Sequence, residues 1–271
     1  MTKTITFPQL EQDDGKEDLQ AVIPEHLCVG GTTDPFLYGG SGFAACIAAM
    51  ERLTGLPAIY ATIQFVSMGR SGETIRFTLE NVSGGNSIKQ CRLSASIGGK
   101  PFATLMGAAG DRSDPTVHQG SHAPIVPPVD HCVERSVARQ ISSNLNDLFE
   151  FRMAKGQMPD RRDWKGEVGL DTAFWIRKRS ALTLSKLDLS VIADLAAMAL
   201  PSALGKPASG NSLDNMIRFI AEPDGEWVLS CTQVASVYRG ITHINTHIYS
   251  ESGSLLAVAS QSMALRVRPP S

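Results

Sequence analysis

Charge is the first thing this chain lacks. Its 25 Lys and Arg stand against 27 Asp and Glu in 271 residues, and charged side chains make up only 19% of the total. A net charge of −2 gives no electrostatic footing for non-specific nucleic-acid binding. Cysteine is scarce and scattered: Cys28, Cys46, Cys91, Cys132 and Cys231 are odd in number and form no CxxC pair. That spacing argues against a disulfide framework and a zinc site, and it fits reduced thiols in a cytoplasmic compartment. The N-terminal stretch MTKTITFPQLEQDDGKEDLQ has no apolar core of the signal-peptide kind. No apolar run reads as long enough for a membrane span. Walker, GxGxxG and HExxH patterns are missing. What is present is 42% hydrophobic residues, enough for a soluble globular protein with a sizeable core.

A faint internal repeat at an offset of 154 organises the rest. Ile63 pairs with Ile217, Phe65 with Phe219, Gly99 with Gly253, Phe102 with Leu256 and Ala103 with Ala257. At the same offset Asp194, Ser212 and Gln261 stand where the first copy has Gly40, Ala58 and Gly107. The division read from this is an N-terminal segment 1–26, loosely held, a first unit 27–110, a Pro-, Ser- and His-rich linker 111–142, and a second unit 143–271 carrying the polar groups. GGSGFAACIAAMERL (39–53) reads as a buried helix, followed by strands at 58–69, 73–82, 86–97 and 101–109. In the second unit, strands are expected near 145 and at 172–180, then a helix over 186–204 with Ser185 as N-cap. Strands at 211–221, 227–238, 240–250 and 254–267 follow. One apolar helix followed by antiparallel strands, twice over, is an α+β architecture in which a sheet wraps a helix.

Three constellations look chemical and read as weak. His243 and His247 fall on a strand, where their spacing is about 13 Å, too wide for one metal ion. Ser41 in GGSGF fails the spacing of a nucleophile elbow. Arg177-Lys178-Arg179 has the charge to meet phosphates, although such runs are more often solvated strand ends.

NSLDNMIRF (211–219), VASQSMALR (258–266), the Ala-rich helix around Asp194, GGSGFAACIAAM and NSIKQCRLSASIGGKPFATLMGAA together resemble the acyl-CoA thioesterase II family. The resemblance runs from about residue 27 to 267. It implies a double hotdog, two helix-wrapped antiparallel sheets from an internal duplication. It also implies hydrolysis of an acyl-CoA to free acid and CoA, without a cofactor or metal, by a water held between an acid, a hydroxyl and an amide. Carried over, these are Asp194, Ser212 and Gln261. Asn215 stands where the family often has His after SLD, and Ser262-Met263 where many relatives have Glu-Gly. Some relatives carry the acid nearer the helix-ending proline, at the register of Met198, one turn after Asp194 and on the same face.

The chemistry is consistent with those residue types. Burial of Asp194 would raise its pKa toward that of a useful base. Backbone N–H groups at Gly39 to Gly42, at a helix N-terminus, suit a developing oxyanion. The acyl chain is expected beside the second helix, against Leu195, Met198 and Ile217. Plainer alternatives stand beside these: Asp194 as partner of Arg177 or Arg218, Ser212 as a turn cap, and Gly39, Gly40 and Gly42 as close-packing positions. At the level of the whole protein, the expected partner is acyl-CoA, with no nucleic acid and no membrane, in a cytoplasmic homodimer or higher homo-oligomer. A double hotdog that binds an acyl ligand without hydrolysing it is the alternative, and a hotdog hydratase ranks last.

Overall fold

In the structure, a computed structural model, residues 6–12, 18–30, 35–85, 87–135, 147–159, 164–180 and 183–267 are described. In chain order the elements are β1 (Glu11–Gln12), β2 (Leu19–Val22), β3 (Cys28–Val29), β4 (Phe36–Leu37), α1 (Gly39–Thr54), β5 (Ala58–Phe65), β6 (Thr74–Gly84), β7 (Ile88–Ile97) and β8 (Lys100–Gly110). They continue with β9 (Val133–Arg135), β10 (Phe149–Lys155), β11 (Thr172–Lys178), α2 (Lys186–Ala193), a 3-10 stretch (Asp194–Ala199) and α3 (Leu200–Leu204). The chain closes with β12 (Ala208–Ser212), β13 (Asp214–Phe219), β14 (Val228–Tyr238), β15 (Ile241–Ser250) and β16 (Leu255–Val267).

Small side chains let α1 sink almost whole into the core, where Phe43, Ala44, Ala45, Cys46, Ile47 and Met50 are all 0% exposed. Gly55 ends it in the left-handed region at φ 70°, returning its N–H to Glu51 O. One sheet of fourteen strands wraps both helices, in the order β1-β2-β6-β7-β8-β5-β13-β16-β15-β14-β11-β10-β9, with β12 also on β16. The two halves meet along β5 and β13, where Met216 lies opposite Thr62, residues 154 apart. Asn215↔Ile63 and Ile217↔Ala61 flank that pair symmetrically, so a pseudo-two-fold axis passes through it. β16 repeats β8 in the same register: Met216↔Ser260 answers Thr62↔Met106.

The helices do not share that offset. The left-handed caps Gly55 and Gly205 are 150 apart. Four extra residues therefore follow the second helix, in the segment that forms β12. Counted back from those caps, Asp194 answers to Ala44, whereas the offset of the strands sets it against Gly40. The expected strand 211–221 is also two strands, broken at Leu213.

Two further expectations change. The described residues from Asp18 onward are no loose lead-in: β2 pairs with β6, and Leu19, Ala21, Ile23 and Leu27 are buried in the main core. Lys186–Leu204 is long and apolar enough to cross a membrane, contrary to the sequence reading, yet most of it lies buried inside the sheet. The described part of the linker is strapped down. Trp175 Nε1 donates to Pro127 O at 3.0 Å, and Ala123, Val126 and Val129 cover a cluster of Trp175, Trp227, Leu229 and Tyr249. Residues 136–146, including part of the expected strand near 145, lie outside the described residues.

Candidate active site

The second helix changes winding at Asp194. Pro201 has no N–H to give the Ala197 carbonyl, which accepts instead from Leu200 N–H in the tighter 3-10 pattern. Asp194 opens that stretch and is 5% exposed. Four groups from four elements converge on its carboxylate. Gly40 N–H, in the first turn of α1, donates to Oδ2 at 2.7 Å. Ser212 Oγ, at the end of β12, donates to Oδ1 at 3.2 Å. Asn215 Nδ2, on β13, donates to Oδ1 at 3.2 Å. Gln261 Nε2, on β16, donates to Oδ1 and also to Ser212 Oγ, the latter at 2.8 Å.

Sheet register explains the convergence. Gln261 lies opposite Ile244, Asn215 opposite Ile63, and Ile63 opposite Leu105, all pointing inward from neighbouring strands. Asn215 precedes the Met216↔Ser260 pair by one residue, as Gln261 follows it, so the two amides sit side by side under the helix. The first half cannot copy this arrangement. A Cβ at Gly107, the counterpart of Gln261, would meet Tyr60 O at 2.6 Å and Met50 Sδ at 3.0 Å.

Burial is the largest influence on Asp194 and pushes its carboxyl up to about 6; donors from Gln261, Asn215, Gly40 and Ser212 act in the opposite direction. Tyr38, the N-cap of α1, is held well above its ordinary value by burial and by the neighbouring Asp194 charge, so it stays a neutral hydroxyl. Glycine is required where α1 meets Asp194. A Cβ on Gly39 would stand 2.8 Å from Asp194 Oδ2, and one on Gly40 would stand 2.9 Å from Asp194 Cβ.

Sequence reading named Asp194, Ser212 and Gln261, and these three come together. It did not name Asn215 or Tyr38 as site residues. Asn215 carried one signal: it shares the inward-facing parity of Ile217, so a polar side chain there has to find a partner. Gly39 and Gly40 are at the site, with Gly40 N–H committed to the carboxylate and not free for an oxyanion. Met198 is partly buried against the main core, while Ile217 is 0% exposed within it. Neither arginine considered as a partner for Asp194 takes that role. Arg177 pairs with Glu150 at 2.8 Å and with Glu226 at 3.3 Å, and Arg218 is exposed and touches Met216 Sδ. Lys178 pairs with Asp188 at 2.6 Å and Arg179 with Glu134, so the Arg177–Arg179 run is spent on carboxylates. His243 bonds Ser262 Oγ and His247 stacks on Tyr249; among the described residues no group of His, Cys, Asp and Glu could hold a metal ion.

Solved structures share this fold over nearly the whole chain. A provisionally assigned thioesterase of Novosphingobium aromaticivorans is 25% identical, with TM-score 0.83 over 96% of this chain and 100% of that one. A protein of unknown function with a hot dog fold from Alicyclobacillus acidocaldarius is 17% identical, with TM-score 0.79 over 99% and 98%. Acyl-CoA thioesterase II TesB2 of Mycobacterium marinum is 18% identical, with TM-score 0.74 over 99% of each chain. The architecture is a double hotdog. No curated protein sequence matches the chain. The sequence profile of the acyl-CoA thioesterase C-terminal domain matches residues 126–265, more than half of the chain and the part that holds Asp194, Ser212 and Gln261. The chain therefore belongs to the acyl-CoA thioesterase family and is a thioester hydrolase.

Proposed function

We propose that the protein hydrolyses an acyl-CoA to free acid and CoA by direct attack of a water held at Asp194, Ser212 and Gln261. The observation that carries this reading is a buried carboxylate, its pKa pushed up to about 6, gathered with a hydroxyl and an amide from two other elements. Gln261 Oε1 adds support, being a buried acceptor without a partner and so fit to take a hydrogen from water. Above pH 6 Asp194 is ionised and accepts one proton from the water as its oxygen attacks the thioester carbon. Ser212 and Gln261 orient that water. The oxyanion is met by first-turn N–H groups of α1, where Gly39 and Ser41 have no intrahelical acceptor. Collapse of the intermediate expels CoA thiolate, which takes the proton from Asp194. The acyl chain runs beside the second helix past Met198, with Ile217 in the packed floor.

The test is thiol release from short-, medium- and long-chain acyl-CoAs. Asp194→Asn and Gln261→Ala should each lower kcat by roughly 10²–10⁴, with circular dichroism unchanged. Rates within a few-fold of wild type in both variants would refute the site. Retained acyl-CoA binding without thiol release from any substrate would replace hydrolysis by ligand binding.

A further inference from the structure

Asn215 is a buried amide that the fold alone does not require. It is 0% exposed; Nδ2 reaches Asp194 Oδ1, and Oδ1 has no partner. Burying an amide with one end unpaired costs free energy that an apolar side chain of the same shape would not. Its surroundings on the sheet are apolar, with Ile63 opposite and Ile217 two positions on, both 0% exposed. The pseudo-two-fold sets Ala61 in the equivalent place of the first half, also 0% exposed, and there the helix has no carboxylate at Gly40 or Ala44. An amide occurs in the half with the carboxylate and is missing from the half without it.

We infer that Asn215 is a positioning residue for the hydrolysis: it pins Asp194 Oδ1 toward Ser212 and Gln261. The inference rests on the reading of Asp194 as the base. The groups facing Asp194 are Tyr38 and Gly40 N–H from the start of α1, Ser212 from β12, Asn215 from β13 and Gln261 from β16. On β13 itself, Asp214 is turned to Ser262 N at 2.6 Å and Arg218 to Met216. Tyr38 is neutral, and no cation is among the groups that act on Asp194. Hydrogen bonds alone therefore oppose desolvation. A donor to a carboxylate favours its charged form, so deleting the donor raises the pKa and moves the acid limb of activity to higher pH.

Asn215→Leu removes donor and acceptor at near-constant shape; Asn215→Ala installs the first-half arrangement in case Leu does not pack. Two readouts are needed: the Asp194 carboxyl titration by 13C NMR, and the pH profile of kcat/KM for acyl-CoA hydrolysis. The Leu or Ala variant should raise the carboxyl titration and the acid limb together by roughly half to one pH unit, with KM little changed. Folded variants whose titration and acid limb match wild type would overturn the inference, leaving Asn215 purely structural. If the NMR titration shifts as expected while even wild type releases no thiol, the pinning of Asp194 stands and the assignment of Asp194 as a hydrolytic base falls.

Discussion

At the scale of single residues, the contact between α1 and Asp194 depends on the absence of side chains. A Cβ at Gly40 would fall 2.8 Å from Tyr38 Cε1, 2.8 Å from Val191 O and 2.9 Å from Asp194 Cβ. Val191 O is backbone and cannot swing aside, so the helices would have to separate. Two residues on, a Cβ at Gly42 would meet only the flexible ends of Phe102 at 3.3 Å and Leu37 at 3.4 Å. Gly40→Ala should cost about 1–3 kcal/mol and lower kcat sharply, because the shift stretches the 2.7 Å bond from Gly40 N–H to Asp194. Gly42→Ala should fold and turn over close to wild type. Urea denaturation and thiol-release assays on the pair check this; equal behaviour of the two variants would remove the close approach as the reason for glycine.

Among the elements, α2 carries the heaviest local demand at its start. Ser185 caps it as expected: its Oγ accepts from Asp188 N, and Asp188 Oδ2 accepts from Ser185 N at 2.6 Å. Asp188 is 0% exposed and also holds Lys178 Nζ at 2.6 Å and Thr6 Oγ1 at 2.5 Å. Ser185→Ala should cost about 1 kcal/mol. Asp188→Ala should cost about 3–5 kcal/mol, since it leaves the Lys178 ammonium enclosed without its partner. Thermal melts should rank the two in that order, while kcat per folded molecule stays constant in both. Ser185 was readable because a capping residue and its helix are neighbours in sequence. The same holds for α1, for its Gly55 stop, and for strands such as β6 and β15, whose apolar alternation is local. Gln261 was readable too, from its two-residue spacing after Ala257 and Ala259. The N-terminal segment was not, because Leu19 and Ala21 show their burial only once β2 meets β6, more than fifty residues later. Nor was the Gly40–Asp194 bond, which depends on how two helices from different halves pack. The break at Leu213 was hidden as well, since it arises from the four residues added after the second helix, and strand periodicity does not register an insertion.

Across the whole molecule, the units legible as 27–110 and 143–271 share one interior. A single hydrophobic cluster runs from Leu19 to Ala259 and takes in both helices, and the sheet passes from one half to the other at β5 and β13 without a gap. Cutting between the halves would strip β13 of its partner on one side and take Gly40 away from Asp194. It would also bare the apolar stretch Lys186–Leu204, which is long and apolar enough to seek other cover. The intact chain should therefore unfold in one calorimetric transition, with van't Hoff and calorimetric enthalpies equal. A fragment of residues 143–271, although it holds Asp194, Ser212, Asn215 and Gln261, should aggregate or show a collapsed amide NMR spectrum and release no thiol. A soluble, well-dispersed spectrum from that fragment, or two separate transitions in the intact chain, would mean the halves are independent domains. Asp194 would then be held by β12, β13 and β16 alone, and the first half would be dispensable to the site. The bond from Gly40 to Asp194 argues the reverse: the first half supplies Tyr38 and the helix end against which the carboxylate is set.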